Sequence, residues 1–294
     1  MIEAKKPFSN ITFVILSAVL VIGWSSGFVG IRYANESAPV SLVLLWRNLV
    51  AGIILLPFAI FLGPRITLTS FAHQVFLGIA GMFLYLASFA IAIAYRVPTG
   101  LVALIADLVP LAIAALSQPI LGHPLTLKQW AGTSVAVAGV IFVSIDSLTL
   151  GRAPLFAYFI PVAGMLLFAT ITVLQKRLKA IATPIHQSLA IQCLTACCFF
   201  AVWAWHDGTI MPPTNMNFFI GIAWLVGLAT YVCYVVYYTL LRHYPPARVS
   251  SAVFLSPPMT MIWAWGMFGE PLSLNMAIGT AITFAGVIFA SSRN

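Results

Sequence analysis

Apolar stretches about as long as a membrane-crossing helix alternate with short polar or Pro/Gly-rich segments along the whole chain. A bilayer core needs about 20 apolar residues per helix, and this length divides the sequence into ten predicted spans. They are residues 11–33, 40–62, 71–93, 97–118, 127–145, 154–174, 185–205, 216–240, 247–268 and 272–291. The pattern predicts an all-α polytopic membrane protein with short connections and no inserted soluble domain. We number these spans 1 to 10.

Composition agrees with lipid as the surrounding solvent. Apolar residues make up 62% of the 294 residues and charged residues 7%, whereas a soluble domain contains roughly 25% charged residues. The four cysteines lie inside apolar stretches without a CxxC pair or a His cluster. We therefore predict packing roles for them, and neither a metal site nor a cofactor. The first apolar stretch is not followed by a small-residue cleavage site, which favours a span over a signal peptide.

The basic residues predict the orientation of the spans. With both termini in the cytoplasm, ten of the 14 Lys and Arg residues fall on the cytoplasmic side. Only Arg32, Arg96 and Arg152 fall on the outer side, and Arg47 lies within a span. This excess satisfies the positive-inside rule and places residues 1–10 in a cytoplasmic tail. The net charge of +8 is thus explained by orientation, and no nucleic-acid partner is predicted.

A near-copy of one hairpin indicates an internal duplication. Residues 122–144 and 269–291 are identical at 12 of 23 positions without a gap, whereas chance would give on the order of two or three. Five spans per half is an odd number, so the second half must be inserted upside down. The predicted repeats are 11–145 and 154–291. Inverted repeats are typical of secondary transporters, in which two bundles rock about a shared site near the midplane.

Several local patterns resemble a known family. They are Gly23-Trp24-Ser25-Ser26-Gly27-Phe28, Leu45-Trp46-Arg47 and, in each half, a mid-span proline followed by a G-E-x-L-type loop and a Gly-rich closing helix. In these features the chain resembles the drug/metabolite transporter superfamily, in its EamA-type ten-helix branch. The resemblance implies a multi-pass transporter of the inner membrane. One departure is His123, which stands where the second loop has Glu270.

Within that branch, the chain length and the tyrosine-rich eighth span are most similar to the YddG-type exporters of aromatic amino acids. The resemblance therefore implies a small-molecule solute such as an amino acid. The sequence leaves a monomer and a homodimer open.

Two charged residues inside spans are candidates for solute binding. Asp107 lies about midway along span 4, where an ionisable group normally faces a cavity or a partner. It could bind a substrate ammonium group or a proton, pair with Arg47, or cap backbone groups freed by Pro110. Arg47 could bind a substrate carboxylate, neutralise Asp107, or extend back to the outer interface; we favour the two roles without substrate.

Prolines and aromatic residues complete the predicted site. Pro110 and Pro257 occupy equivalent mid-span positions, where a proline kinks the helix and frees a carbonyl group, either to line a cavity or only for packing. Aromatic residues at helical spacing could line a cavity for an apolar or aromatic solute or serve packing alone. These aromatic candidates are Trp24, Phe28, Tyr85, Phe89, Tyr231, Tyr234 and Tyr238.

These features favour a secondary carrier that exports small metabolites, foremost amino acids, by alternating access. A nucleotide-sugar or other metabolite exchanger is an alternative, but it predicts several cationic groups in the cavity and only Arg47 qualifies. An intramembrane enzyme is a further alternative. The sequence lacks the clustered carboxylates and the HExxH motif that such enzymes use. The G-x-S-x-G pattern at 23–27 lies in an apolar helix instead of a strand-to-helix elbow, so we predict no enzyme activity.

Overall fold

The computed structural model describes residues 9–122, 126–150, 153–177, 183–244, 249 and 252–291. Each of the ten predicted spans contains helix, and these residues contain no strand. Spans 1 to 8 are long and apolar enough to cross a membrane. The tail before residue 9, the His123 loop and residues 247, 248, 250 and 251 of predicted span 9 lie outside the described residues.

Six spans have one uninterrupted helix. These helices are Asn10–Ala34 (span 1), Val40–Phe61 (span 2), Leu127–Leu150 (span 5), Leu155–Arg177 (span 6), Ile185–His206 (span 7) and Leu274–Ser291 (span 10). In the bilayer every backbone N–H and C=O group needs a partner within the segment, which an α-helix supplies. The Ser9 hydroxyl accepts a hydrogen bond from the Thr12 amide, 3.2 Å away, and so caps the first helix.

Spans 3 and 8 each contain a π-helical segment. Span 3 passes from Leu68–Leu77 through the π-helix Gly78–Leu84 to Tyr85–Ala94. Span 8 passes from Met216–Val226 through the π-helix Gly227–Val232 to Cys233–His243. The two segments occupy corresponding places in the repeats, although nothing in the sequence pattern predicts them. Short π-helical segments inside α-helices are frequently found at functional sites.

Spans 4 and 9 are interrupted at equivalent positions, as the two prolines predict. Span 4 consists of Thr99–Ala106 and Val109–Leu121, separated by a turn at Asp107 and Leu108. Span 9 has the same turn at Phe254 and Leu255, which precedes Ser256–Phe268. Pro110 and Pro257 lie in the first turn of the second helices, where a proline is tolerated.

The helix ends define two faces of the bundle. We call the face where span 1 begins and span 2 ends the amino-terminal face, and the other the opposite face. At the amino-terminal face, Nε2 of His186 at the start of span 7 lies 2.7 Å from the carbonyl oxygen of Leu62. At the opposite face, the Ser41 hydroxyl at the start of span 2 donates to Asp207 over 2.6 Å. The location of the amino-terminal face in the cytoplasm stays a prediction from the charge distribution.

Helices of the first half of the chain pack on helices of the second half. Span 5 packs on span 10 and span 2 on span 7, while span 1 packs on span 8 and span 3 on span 6. Exchanging each span with its copy five spans later leaves this set of pairs unchanged, which is the symmetry expected of the duplication.

Glycines bring spans 5 and 10 into backbone contact. A Cβ atom added to Gly286 would lie 2.3 Å from the backbone nitrogen of Ala136, and one added to Gly132 would lie 2.5 Å from that of Ala290. Because lipid gives helices no hydrophobic drive to associate, such close approach supplies much of the packing energy.

We expect Gly286→Ala to lower the thermal stability of the purified protein in detergent. Overpacking of this kind costs about 1–3 kcal/mol, which exceeds the helix-propensity gain of about 1 kcal/mol from replacing glycine. Gly266→Ala is the matched control, since an added Cβ there meets nothing within 4 Å. Equal melting temperatures for the two variants would contradict the inferred contact.

Candidate solute-binding cavity

A cavity of about 560 Å³ lies among spans 1, 2, 3, 4, 6, 7, 8 and 9. None of its described lining residues comes from span 5 or span 10. Both repeats contribute walls, as expected for a site near a symmetry axis. The lining includes Trp24, Arg47, Gly81, Tyr85, Ala106, Asp107, Pro110, Phe168, Thr172, Gln175, Gln192, Thr230, Tyr234, Tyr237, Val253 and Phe254.

The cavity occupies the half of the bundle nearer the amino-terminal face. Its wall reaches from Asp107 at the break in span 4 to Gln175, two residues before the end of span 6. On the side of the opposite face, the rings of Phe28 and Phe89 meet edge to face with centroids 6.2 Å apart. Phe89 is only 2% exposed. These two rings lie outside the described cavity wall, on the side of the opposite face.

Asp107 places a carboxylate in the cavity wall. Its Oδ2 atom is shielded from solvent and has no hydrogen-bond partner among the described residues. An unpaired carboxylate oxygen deep in a membrane protein is costly unless a ligand or a proton satisfies it. The position equivalent to Asp107 in the second half is Phe254, so this charge is present on one side of the symmetry axis only.

Arg47 also lines the cavity, in contrast to the structural and interfacial roles that we favoured from the sequence. Its Nη2 atom lies 3.5 Å from the hydroxyl oxygen of Thr230 in the π-helix of span 8, a long hydrogen bond. The described residues contain no ion pair of Arg47 with Asp107 within 4.0 Å. The cavity therefore holds one guanidinium group and one carboxyl group that make no direct contact with each other.

Four neutral polar residues in the wall were not predicted as site residues: Thr172, Gln175, Gln192 and Thr230. Nε2 of Gln192 donates to Oε1 of Gln74 in span 3 over 2.7 Å, an interhelical hydrogen bond. Gln175 lines the cavity near the end of span 6. Thr230 donates to the Leu225 carbonyl oxygen over 2.9 Å. Their sequence signal is a polar side chain within an otherwise apolar span.

Aromatic rings form much of the remaining wall. Tyr85 packs on Phe168 with ring centroids 4.6 Å apart, and Trp24 packs on Tyr237 at 5.8 Å. Phe168 and Tyr237 were not among the predicted site residues, because many aromatic residues in these spans share their spacing. Such rings suit an apolar or aromatic group of a solute.

Six of the eleven predicted residues line the cavity: Trp24, Arg47, Tyr85, Asp107, Pro110 and Tyr234. The other five lie outside its described wall. Phe28 and Phe89 pack on each other, and the Tyr231 hydroxyl donates to the Ala51 carbonyl oxygen over 2.8 Å. Tyr238 stacks on Tyr234 with ring centroids 6.2 Å apart and is 36% exposed. Pro257 is buried in the first turn after the break in span 9.

The residues that lose a helical hydrogen-bond donor at the two helix breaks lie beside the cavity. Pro110 has no N–H group to donate to the Ala106 carbonyl, and Pro257 and Pro258 have none for the carbonyls of Val253 and Phe254. Ala106, Val253 and Phe254 all line the cavity. Irregular backbone at membrane depth is tolerated where it borders such a space.

Comparison with known proteins identifies the family. The model of the EamA-like transporter family matches residues 11–145 and again residues 155–292. The chain belongs to the EamA-like transporter family. The double match supports the duplication found in the sequence, and the family's members are transporters of small metabolites.

Relatives of this EamA-like transporter agree with that assignment. An uncharacterized inner membrane transporter, YedA of Escherichia coli strain K12, is 26% identical over 92% of this chain and 87% of its own. A probable amino-acid metabolite efflux pump of the same strain is 24% identical over 93% and 92%. A solved crystal structure aligns over 96% of this chain and 97% of its own, with a TM-score of 0.64 and 18% identity, and shows the same fold. With the apolar helices, these relatives support a multi-pass location in the inner membrane.

We expect water-filled access to the cavity wall of this EamA-like transporter but not to its core. In a Cys198→Ala background, which removes the exposed native thiol, Thr172→Cys should react with a hydrophilic thiol reagent in detergent. Ala169→Cys, three residues away on the same span, is the matched control because Ala169 is fully buried. Equal reaction rates at the two positions would show that the cavity is not hydrated.

Proposed function

We propose that this protein is a secondary carrier for small zwitterionic solutes, foremost amino acids with apolar or aromatic side chains. The observation that carries the proposal is the presence of the Arg47 guanidinium group and the Asp107 carboxyl group in one membrane cavity without direct contact between them. Asp107 would receive the solute ammonium group and Arg47 the carboxylate. The direction of net transport would be outward, as in the efflux pump that is among its relatives.

Charge complementarity supports this assignment of roles. The guanidinium group presents a planar set of donors that matches a carboxylate in a bidentate geometry. The carboxylate of Asp107 accepts hydrogen bonds only, which suits the three N–H donors of an ammonium group. Because the surroundings are largely apolar, each contact is stronger than it would be in water. A zwitterion adds no net charge to the site when it binds.

The size and lining of the cavity favour a compact solute with an apolar part. Cavities for small ligands commonly measure about 300–1,000 Å³, and the volume here, about 560 Å³, falls in the middle of that range. Trp24, Tyr85 and Tyr234 stand in the wall with the two charges. They would enclose the side chain of an amino acid while the charges hold its backbone groups.

A nucleotide-sugar exchanger is less well supported. Several phosphate oxygens would need several cations, and Arg47 is the only cation among the described lining residues. Asp107 would repel such a ligand, because like charges at close range are unfavourable in a medium of low dielectric constant.

Alternating access would follow from the inverted repeats. In the conformation described, the cavity lies toward the amino-terminal face, and the packed rings of Phe28 and Phe89 would close it toward the opposite face. Exchanging the conformations of the two halves would move the opening to the opposite face. The carrier would therefore use a gradient of its solute or of a coupled ion.

The deciding experiment is flux through the purified protein in sealed liposomes. The panel contains labelled amino acids, their decarboxylated amines, their N-acetyl derivatives and nucleotide sugars, with and without a pH gradient. Saturable flux of amino acids but not of either derivative would support the proposal. Saturable flux of nucleotide sugars alone, or no flux across the panel, would reject it.

We expect Asp107→Asn and Arg47→Gln to raise the KM for an amino acid by roughly 10- to 100-fold, because a hydrogen bond to a charged group contributes about 1.5–3 kcal/mol. Arg47→Gln should also reduce discrimination against the decarboxylated amine, and Asp107→Asn against the N-acetyl derivative. Asp146→Asn is the control, since Asp146 lies outside the cavity and accepts from Asn275 over 2.9 Å. Unchanged KM values in both cavity variants would remove these residues from solute binding.

A further inference from the structure

An ionic cluster closes the bundle at the opposite face. It consists of Arg32 at the end of span 1, Glu36, Arg96, Thr99 at the start of span 4, and Glu270 after span 9. Oε2 of Glu270 accepts from the Thr99 amide over 2.7 Å, and Oε1 accepts from the Thr99 hydroxyl over 2.6 Å. Nε of Arg32 lies 3.6 Å from Oε1 of Glu270. The cluster thus connects spans 1 and 4 to the turn between spans 9 and 10.

The bonds of this cluster differ in strength. The pair of Arg96 with Glu36, 2.7 Å apart, has both side chains nearly half exposed, and such surface pairs contribute little. Glu270 is 15% exposed and Arg32 11%, and the carboxylate of Glu270 accepts two short hydrogen bonds at a helix N-terminus. Charge-assisted bonds at this position are the stronger kind. Of these two contacts, that of Glu270 with Thr99 is therefore the stronger.

The cluster stands on the route between the cavity and the opposite face. Trp24, Phe28 and Arg32 are spaced four residues apart and so lie on one side of span 1. Trp24 lines the cavity, Phe28 packs on Phe89, and Arg32 contacts Glu270. A solute leaving the cavity toward the opposite face would pass Phe28 and then the cluster.

The first helix of span 4 is the element that the cluster holds in place. Thr99–Ala106 packs on Ser256–Phe268 of span 9 and on span 1, and a Cβ atom on Gly100 would lie 2.0 Å from Cγ of Met261. The same helix ends at the break where Asp107 stands. Opening the opposite face requires this helix to separate from span 9 or from the turn that carries Glu270.

The symmetry-related position between the repeats lacks both partners of the contact of Glu270 with Thr99. The halves align with a constant offset of 147 residues at Pro98/Pro245, Pro110/Pro257 and Gly122/Gly269. At that offset Thr99 corresponds to Pro246, which has neither an N–H group nor a hydroxyl, and Glu270 corresponds to His123, which has no carboxylate. The sequence therefore places this contact between the repeats at one face only, the face away from the cavity.

We infer that Glu270 and Thr99 are positioning residues of the transport cycle, whose contact holds the opposite face closed and so favours the conformation with the cavity toward the amino-terminal face. Two identical halves would give the conformations open to either face the same free energy. Because this contact is present at one face only, it lowers the free energy of the conformation in which that face is closed. This inference rests on the proposed alternating access, but not on the identity of the solute.

The test measures access from the opposite face without any solute. In a Cys198→Ala background, Phe28→Cys is labelled with a membrane-impermeant maleimide applied to that face in vesicles of known orientation. We expect Glu270→Gln to raise the labelling rate by roughly fivefold or more, the population shift that corresponds to losing one charge-assisted hydrogen bond. Asp207→Asn is the matched control, since Asp207 also accepts from a hydroxyl at the opposite face.

Thr99→Pro provides a second, independent variant. It removes the amide donor and the hydroxyl together and reproduces the Pro-Pro sequence of the second repeat. Proline is tolerated at the first position of a helix, and Pro98 already has the extended conformation (φ −52°, ψ 126°) that a following proline requires. We expect the same rise in labelling rate with little change in melting temperature.

Faster labelling in both variants and not in Asp207→Asn would support the inference. An unchanged rate in Thr99→Pro, or an equal rise in the Asp207→Asn control, would overturn it. If Glu270→Gln fails to fold, Thr99→Pro decides alone. Since no solute is present, a negative result here leaves the proposed amino-acid transport standing, and failure of the flux panel leaves this inference standing.

Discussion

The structure depends on one constraint, which is that lipid offers no hydrogen bonds to the backbone. Each span must satisfy its own backbone N–H and C=O groups, so regular α-helix is expected throughout. An irregular segment needs another source of hydrogen bonds for its backbone. The described residues depart from α-helix within a span at four places: the breaks at Asp107 and Phe254, and the π-helices at Gly78–Leu84 and Gly227–Val232. All four contribute residues to the cavity wall. The irregular backbone is thus confined to the place where it can be solvated.

The regular and the irregular parts differ in how far they could be predicted. Span length and apolar composition located the helices, because the thickness of the bilayer imposes both. The breaks in spans 4 and 9 followed from Pro110 and Pro257, since a proline leaves a carbonyl without its donor. The π-helices have no comparable signature. They pack against spans 1, 6 and 7, and these contacts are properties of the assembled bundle.

The sequence predicts a site residue only where the residue type is itself unfavourable inside a membrane, as an ionisable side chain is. Asp107 is an ionisable residue in the middle of an apolar helix, so its place in a cavity wall could be predicted without a structure. Arg47 lies nearer a helix end, where extension to the interface is equally plausible from sequence, and only the position of Thr230 shows that it points inward. Phe168 and Tyr237 are two of the 38 aromatic residues in the sequence, and their spacing does not distinguish them from many others, so their place in the wall required the packing of spans 6 and 8.

Duplication and divergence have separate roles in this molecule. Spans 5 and 10 keep the closest copy of each other's sequence, and their glycines bring the two backbones together away from the cavity. A tightly packed pair of this kind resists change, because added volume has nowhere to go. The functional differences lie elsewhere, at Asp107 against Phe254, Glu270 against His123, and Thr99 against Pro246. A perfectly symmetric carrier would hold the same charge in both halves and would favour neither face. The positions at which the two repeats differ are therefore the ones that can give the cavity its ionisable groups. They are also the ones that can favour one conformation of the transport cycle over the other.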